Sequence, residues 1–456
     1  MERDIKKDII SKLKLYVEQA EKSTGKINDE KTDNTTAVGQ GSWKKDPDKA
    51  CNEKKGVSEG KQSKIPSRYD KYEIHKIVDG YESASSGYSC FIVEKQFPLS
   101  YIYGGYPLGE ALTINKDDLK RICPDISSNI YSEVALSDLL FLDTETTGLS
   151  GGTGTVAFLA GTGFFTGDAF VIRQYFMRDY DEEVALLEAL SDLLASRKGI
   201  VTFNGKAFDW NLLQTRYIFN RLQIPLKDFI HIDLLFPSRR IWKFKLESCA
   251  LSSLEENILG EYRVNDIPGS MIPSIYFKYL IDRDAREIKR VIKHNEQDIL
   301  SMVSLLQKIN ELLQSPIENA EDGQELLGLS RIFEVCGEND NFIECMEKCV
   351  QSDNKKVREM ALKKLTQLYK RKGEYDKAVE YWNQMIEQGD ILNLYPMIEL
   401  AKYYEHKEKN IAKALEITEK AFQISNMVGI NNSIYKDDLK KRLNRLKVKA
   451  GKMKNA

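Results

Sequence analysis

The chain has 456 residues, more than one hydrophobic core usually spans, so two or three domains are expected. Hydrophobic residues make up 42% with a mean hydropathy of −0.44; this supports real cores, but no run of about 18 apolar residues exists, so no transmembrane helix is expected. A formal net charge of −2 excludes a global electrostatic argument for or against nucleic acid, and any basic binding surface must be local.

Residues 1–22 alternate charges with Ile9, Ile10, Leu13, Leu15 and Val17, which predicts a short amphipathic helix and lacks the apolar segment of a signal peptide. Residues 23–64 are Lys, Asp, Asn, Ser, Thr and Gly with almost no aliphatic side chains. Such a stretch cannot bury enough apolar surface to offset its ordering entropy, so it reads as a flexible linker. Residues 65–135 contain strand-like runs such as Cys90–Glu94 but no chemical motif, and are expected to pack as a lead-in on the next domain.

The central domain is expected over residues 136–312. Leu139-Leu-Phe-Leu-Asp-Thr-Glu145 is an apolar strand ending in two carboxylates, followed by strand-like runs at 155–160 and 169–175. Residues 181–196 have helical spacing with acids in the first turn, where the helix dipole favours them. A strand at 200–203 ends at Asn204-Gly205, a helix starts near Ala207 and carries Asp209, a fifth strand covers 228–235, and a long helix covers 284–312. This order predicts an α/β domain on a mixed sheet.

The C-terminal third is helical and repetitive. At a shift of 36, Leu329, Leu365 and Ala401 coincide, as do Ile332, Leu368 and Tyr404, and Phe342, Ala378 and Ala414. That period predicts tetratricopeptide-type (TPR-like) helical repeats over 322–435, against the plainer reading of a helical bundle. The tail, 436–456, carries nine Lys/Arg on a helical edge of Leu439, Leu443 and Leu446; a solvated capping helix is favoured over a nucleic-acid contact. The seven cysteines are scattered without a CxxC, which fits reduced thiols and a cytoplasmic protein. Cys336, Cys345 and Cys349 lack a fourth ligand at zinc spacing and are expected to pack in the repeat helices.

The chemistry lies in the central domain. Asp143 and Glu145 are two apart at a strand end, so both face one side. Two acids on a buried apolar strand are costly unless paired or metal-bound. Hydrolysis of a phosphodiester by two divalent cations about 4 Å apart needs such converging carboxylates.

Phe141-Leu-Asp-Thr-Glu-Thr-Thr-Gly-Leu149 resembles the first motif of the DEDD (DnaQ-like) 3′→5′ exonucleases. Thr202-Phe-Asn-Gly-Lys-Ala-Phe-Asp-Trp-Asn211 resembles the second, and His294-Asn-Glu-Gln-Asp298 the third. Within that superfamily the resemblance is closest to the bacterial YprB-like RNase H-like proteins. It extends to Leu149–Thr155, Phe236–Trp242 and Asp266–Ser270, and a trailing TPR-like segment also fits. The resemblance implies an RNase H-like mixed-sheet exonuclease domain followed by an all-α repeat domain. It implies that two cations, Mg²⁺ or Mn²⁺, are held by Asp143, Glu145, Asp209 and Asp298. Asp143 would bridge them. His294 would orient or deprotonate the attacking water. It stands four before the last acid, where one subclass has tyrosine and the histidine subclass uses five, so it ranks below the four acids.

Thr144, Thr147 and Asn204 lie inside the motifs and are expected to contact nucleic acid. Arg239, Arg240, Lys243 and Lys245 interleave with Trp242 and Phe244, which suits phosphate contact with base stacking as well as it suits a surface patch beside core aromatics. Asp233, another strand-end acid, reads as structural. Gly148–Gly154 has no Gly-Lys-Ser/Thr and is no nucleotide-binding loop. The expected activity is DNA 3′→5′ exonuclease in repair, with an RNA exonuclease or a non-catalytic scaffold as alternatives. The expected partners are nucleic acid and a protein, by resemblance a helicase, bound to the repeats.

Overall fold

The computed structural model describes residues 70–85, 87–124, 134–148, 154–388, 393–427 and 433–454. The N-terminal helix and linker expected over 1–64 lie outside these, as do residues 149–153 of the glycine-rich loop.

Seven strands form one mixed sheet: β1 (Tyr81–Ser85), β2 (Tyr88–Pro98), β3 (Leu139–Thr146), β4 (Ala157–Phe165), β5 (Ala169–Phe176), β6 (Gly199–Thr202) and β7 (Ile230–Asp233). Their spatial order is β1-β2-β5-β4-β3-β6-β7. Pairing is antiparallel from β1 through β3 and parallel from β3 to β6 to β7. The lead-in therefore does more than pack on the domain. Its β2 pairs with β5 from Phe91↔Phe176 to Pro98↔Ala169 and extends the sheet by two strands.

Helices follow the strands: α1 (Lys116–Ile122), α2 (Glu183–Ala195), α3 (Asp209–Phe219), α4 (Leu235–Trp242), α5 (Ile272–Asp282) and α6 (Arg286–Gln314). Alternation along β3 sorts its side chains between two cores. Leu140 and Leu142 pack in a cluster with Leu187, Leu190 and Leu213, and Leu139 and Phe141 in one with Ile299 and Val303 of α6. Two strand glycines let α6 lie against β4. A Cβ at Gly161 would stand 1.9 Å from Asn295 Oδ1, and one at Gly163 would stand 2.4 Å from Ile299 Cγ2. Gly161 is opposite Asp143 in the ladder, so this close approach brings α6 onto the strand that ends in acids.

The C-terminal region is three helix hairpins and a closing helix: α7 (Gly323–Cys336) with α8 (Asn339–Val350), α9 (Lys355–Lys372) with α10 (Tyr375–Gln388), α11 (Tyr395–His406) with α12 (Ile411–Met427), then α13 (Ser433–Lys454). The three columns named above are buried, whereas Glu344, Glu380 and Glu416, which also coincide at a shift of 36, are exposed. The turn inside each hairpin carries one left-handed residue at the same spacing: Gly337 (φ 75°), Gly373 (φ 78°) and Lys409 (φ 58°). On α13, Leu439 and Leu446 are buried, while Arg442, Arg445 and Lys449 all donate to the buried Glu405 on α11. The tail thus caps the helical array, and part of its positive charge is spent on one carboxylate. Cys345 and Cys349 are buried, and Cys349 Sγ faces Gly323 O at 3.4 Å. The first hairpin docks on the mixed-sheet domain through α4, where Gly328 meets backbone: a Cβ there would stand 2.2 Å from Ile241 O.

Candidate metal centre

Local rules place the acids. β3 delivers Asp143 and Glu145 to the face covered by α6, and Thr144 to the other. Thr144 donates from its N–H (3.1 Å) and its Oγ1 (2.6 Å) to Asp209 Oδ1, which ties the first residue of α3 to the strand end. The carboxyl ends of parallel strands, where strand order reverses, are where open α/β sheets place their sites. On α6, His294 and Asp298 are one turn apart and share a face. His294 Nε2 is 3.4 Å from Asp298 Oδ2 and 4.0 Å from Glu145 Oε1. Asp143, Glu145, Asp209, His294 and Asp298 are thus brought together from one strand and two helices.

A second group of residues, none singled out from the sequence for a role, holds this cluster. Asn295 is fully buried and donates to Asp143 Oδ2 (2.8 Å); its own Oδ1 accepts from Gln174 Nε2 (2.8 Å), which also donates to Ile292 O. Arg263, 7% exposed at its side chain, donates to Asp298 Oδ1 and to the buried Glu255, and pairs with Asp266 Oδ2 at 3.4 Å. His294 Nδ1 lies 2.8 Å from Asp266 Oδ1. Asn295 and Gln174 left a trace in the sequence, as amides at positions whose strand and helix neighbours are apolar. Arg263 left none, since it stands in an irregular segment with exposed Tyr262 and Val264 beside it.

Electrostatics define what the cluster can do. Burial first, then the charges of Asp298 and Asp209, push the Asp143 carboxyl well above the usual range, and the Asn295 bond and Arg263 offset only part of this. Burial, followed by Asp143, Asp298 and Asp209, does the same to Glu145. Asp209 is pushed up to about 6, chiefly by burial, against the bonds from Thr144. One guanidinium does not compensate so many carboxylates, and added positive charge would. Ligand atoms of Glu145, His294 and Asp298 all lie within 4.8 Å of one another. Carboxylate oxygens suit a hard divalent cation. Among the described residues this is the one such cluster found.

The residues expected to touch nucleic acid divide. Thr144 is buried and spent on Asp209, so it positions an acid rather than facing a ligand. Thr147 Oγ1 accepts from Val156 N–H (3.0 Å) and closes the base of the glycine-rich loop. Asn204 has a left-handed backbone (φ 66°) and an exposed side chain, and its N–H donates to Asp233 Oδ1. Asp233 accepts from three backbone N–H groups, of Asn204, Lys206 and Leu235, and is structural. On α4 the helical period separates the basic–aromatic run. Phe236 (47% exposed), Arg239, the half-buried Arg240 and Lys243 share the outer face at i, i+3, i+4 and i+7. Trp242 falls on the inner face, is fully buried and donates to Glu325 Oε1 (3.0 Å), so it cannot stack on a base. Lys245 pairs with Glu325 and Glu321, joining the two domains.

A sequence profile of the RNase H superfamily matches residues 140–310, from β3 through most of α6, and includes all five clustered residues. The uncharacterized protein YprB of Bacillus subtilis (strain 168) is 33% identical over 339 residues, covering 73% of this chain and 80% of YprB. No described helix is long and apolar enough to cross a membrane.

Proposed function

The chain belongs to the YprB family within the RNase H superfamily, and from this premise we propose that it is a metal-dependent 3′→5′ exonuclease acting on DNA in repair. The observation that carries the reading is the convergence of Asp143, Glu145, Asp209 and Asp298 in a buried cluster whose charge Arg263 compensates only in part. These four would hold two divalent cations, Mg²⁺ or Mn²⁺, which supply positive charge to the attacking and leaving oxygens of an in-line displacement.

The chain's own groups do the rest. Asn295 and Thr144 hold Asp143 and Asp209 at fixed orientations. His294 directs Nε2 between Glu145 and Asp298, where it takes a proton from the attacking water. Arg239, Arg240 and Lys243 meet backbone phosphates along α4, Phe236 offers a face for a base, and Asn204 stands at the strand end beside the cluster. The helical hairpins present a surface for a protein partner, a helicase by the resemblance noted above.

The test is cleavage of 5′-labelled single-stranded DNA, duplex DNA and RNA with Mg²⁺, Mn²⁺ or EDTA, beside Asp143→Ala and Asp298→Ala. The expected result is a metal-dependent ladder shortening from the 3′ end, faster on DNA and absent in both variants. Retained binding with no cleavage in any metal would overturn the enzymatic reading.

A further inference from the structure

His294 makes its shortest contact on the side away from the acids, at Asp266. The chemistry of that contact places a proton on Nδ1. A carboxylate accepts only, so a 2.8 Å approach of Nδ1 to Asp266 Oδ1 requires the proton on Nδ1. Nε2 is then the nitrogen turned toward Glu145 and Asp298. Arg263 Nη1 also comes within 3.2 Å of Nδ1. The Asp266 contact is the shorter of the two, and the guanidinium is also engaged with Asp266 Oδ2, Asp298 and Glu255.

Asp266 is itself held. Its Oδ2 faces Arg263, whose partner Glu255 also accepts from Ser301 Oγ on α6. The neighbouring Asn265 takes a left-handed backbone (φ 58°), and its carbonyl accepts from Arg290 Nη2 on the same helix. One guanidinium thereby spans Asp298, expected at the metal, and the carboxylate behind the histidine. It sets the distance between them.

We propose that Asp266, anchored by Arg263, is the positioning residue of this site, holding the proton on His294 Nδ1 and the ring in the rotamer that turns Nε2 to the acid cluster. The kinetic consequence rests on the nuclease reading above; the tautomer does not. Asp266→Asn separates the two. Arg263 faces Oδ2 and will take the amide oxygen, which turns the amide NH₂ toward His294 Nδ1 and forces the proton to Nε2. Asp266 is partly exposed, so this variant is expected to fold.

The experiment is ¹⁵N-histidine NMR of the full chain, which has four histidines, assigned by His294→Ala. It is run beside kcat, KM and Mn²⁺ affinity by calorimetry. The wild type should show His294 protonated at Nδ1 and Asp266→Asn should show it protonated at Nε2. The substitution should lower kcat about 100-fold with KM and Mn²⁺ affinity unchanged. Adding it to His294→Ala should cost nothing further. A wild-type His294 protonated at Nε2 and not at Nδ1, an unchanged tautomer in Asp266→Asn, or kcat within twofold of wild type would each overturn the proposal. If the wild type cleaves nothing, the nuclease reading fails, and the NMR comparison still decides the role of Asp266.

Discussion

Asp209→Asn should make the metal-free protein more stable while abolishing its activity. The folded-state pKa of Asp209 is about 6 against an ordinary 3.8, so folding takes up protons at this group. The ionised form is disfavoured in the native state. That cost is absent below about pH 4, grows as pH rises through the window to 6, and is fully present above it. A rise of about two units corresponds to about 3 kcal/mol at pH 7.5. Asparagine removes the charge and keeps an oxygen for Thr144 N–H and Oγ1, so most of that amount should be recovered. It sets a ceiling, because bonds to a neutral amide oxygen are weaker than bonds to a carboxylate. Urea unfolding in EDTA should show the variant ahead of wild type at pH 7.5 and level with it at pH 4. Saturating Mn²⁺ should close or reverse the gap at pH 7.5, since wild type gains more from a ligand of the native state. A variant no more stable than wild type at pH 7.5 in EDTA would refute the claim that the acid cluster is electrostatically strained.

Gly161→Ala should drive Asn295 from Asp143, costing about 2 kcal/mol in stability and at least about tenfold in kcat, measured by urea unfolding and single-turnover cleavage. Unchanged activity would mean that Asn295 is not needed to orient Asp143. Replacing both Arg239 and Lys243 by alanine should lower the slope of log K against log salt for single-stranded DNA by about 1.4, read by fluorescence anisotropy with Ca²⁺ in place of the catalytic ion. An unaltered slope would remove α4 from the nucleic-acid path. Lys409→Gly should stabilise the third hairpin by up to about 1 kcal/mol, because glycine carries no Cβ penalty at a left-handed residue; Gly337 and Gly373 already hold the matching turns. A loss of stability on thermal unfolding would show that the lysine side chain contributes more than its backbone costs.

What was legible in the sequence was whatever local periodicity decides. Asp143 and Glu145 share a face because strand side chains alternate, and His294 and Asp298 share one because four residues make a helical turn. The three columns named at a shift of 36 are buried because each hairpin repeats one packing solution. The basic–aromatic run failed as a unit for the same reason. Read as a list it mixes cations with rings. Read at 3.6 residues per turn it sends Trp242 inward to Glu325 and leaves Phe236, Arg239 and Lys243 outside.

What was not legible depends on contacts between segments far apart in the chain. Arg263 meets Asp298 across 35 residues and Gln174 meets Asn295 across 121, and no spacing rule reaches that far. Yet the second of these had an indirect sign. Gly161 and Gly163 alternate within β4, a strand buried along its whole length, where glycine is costly for lack of a side chain to pack. Two glycines on one face of such a strand announce that something approaches closely there. The structure identifies it as α6, bearing Asn295 and Ile299. Their register opposite Asp143 and Phe141 means that the approach is made at the acid-bearing strand. The absence of two side chains on β4 is therefore as much a part of the candidate metal centre as the acids are: with alanine there, the third motif could not sit close enough to the first for Asn295 to reach Asp143.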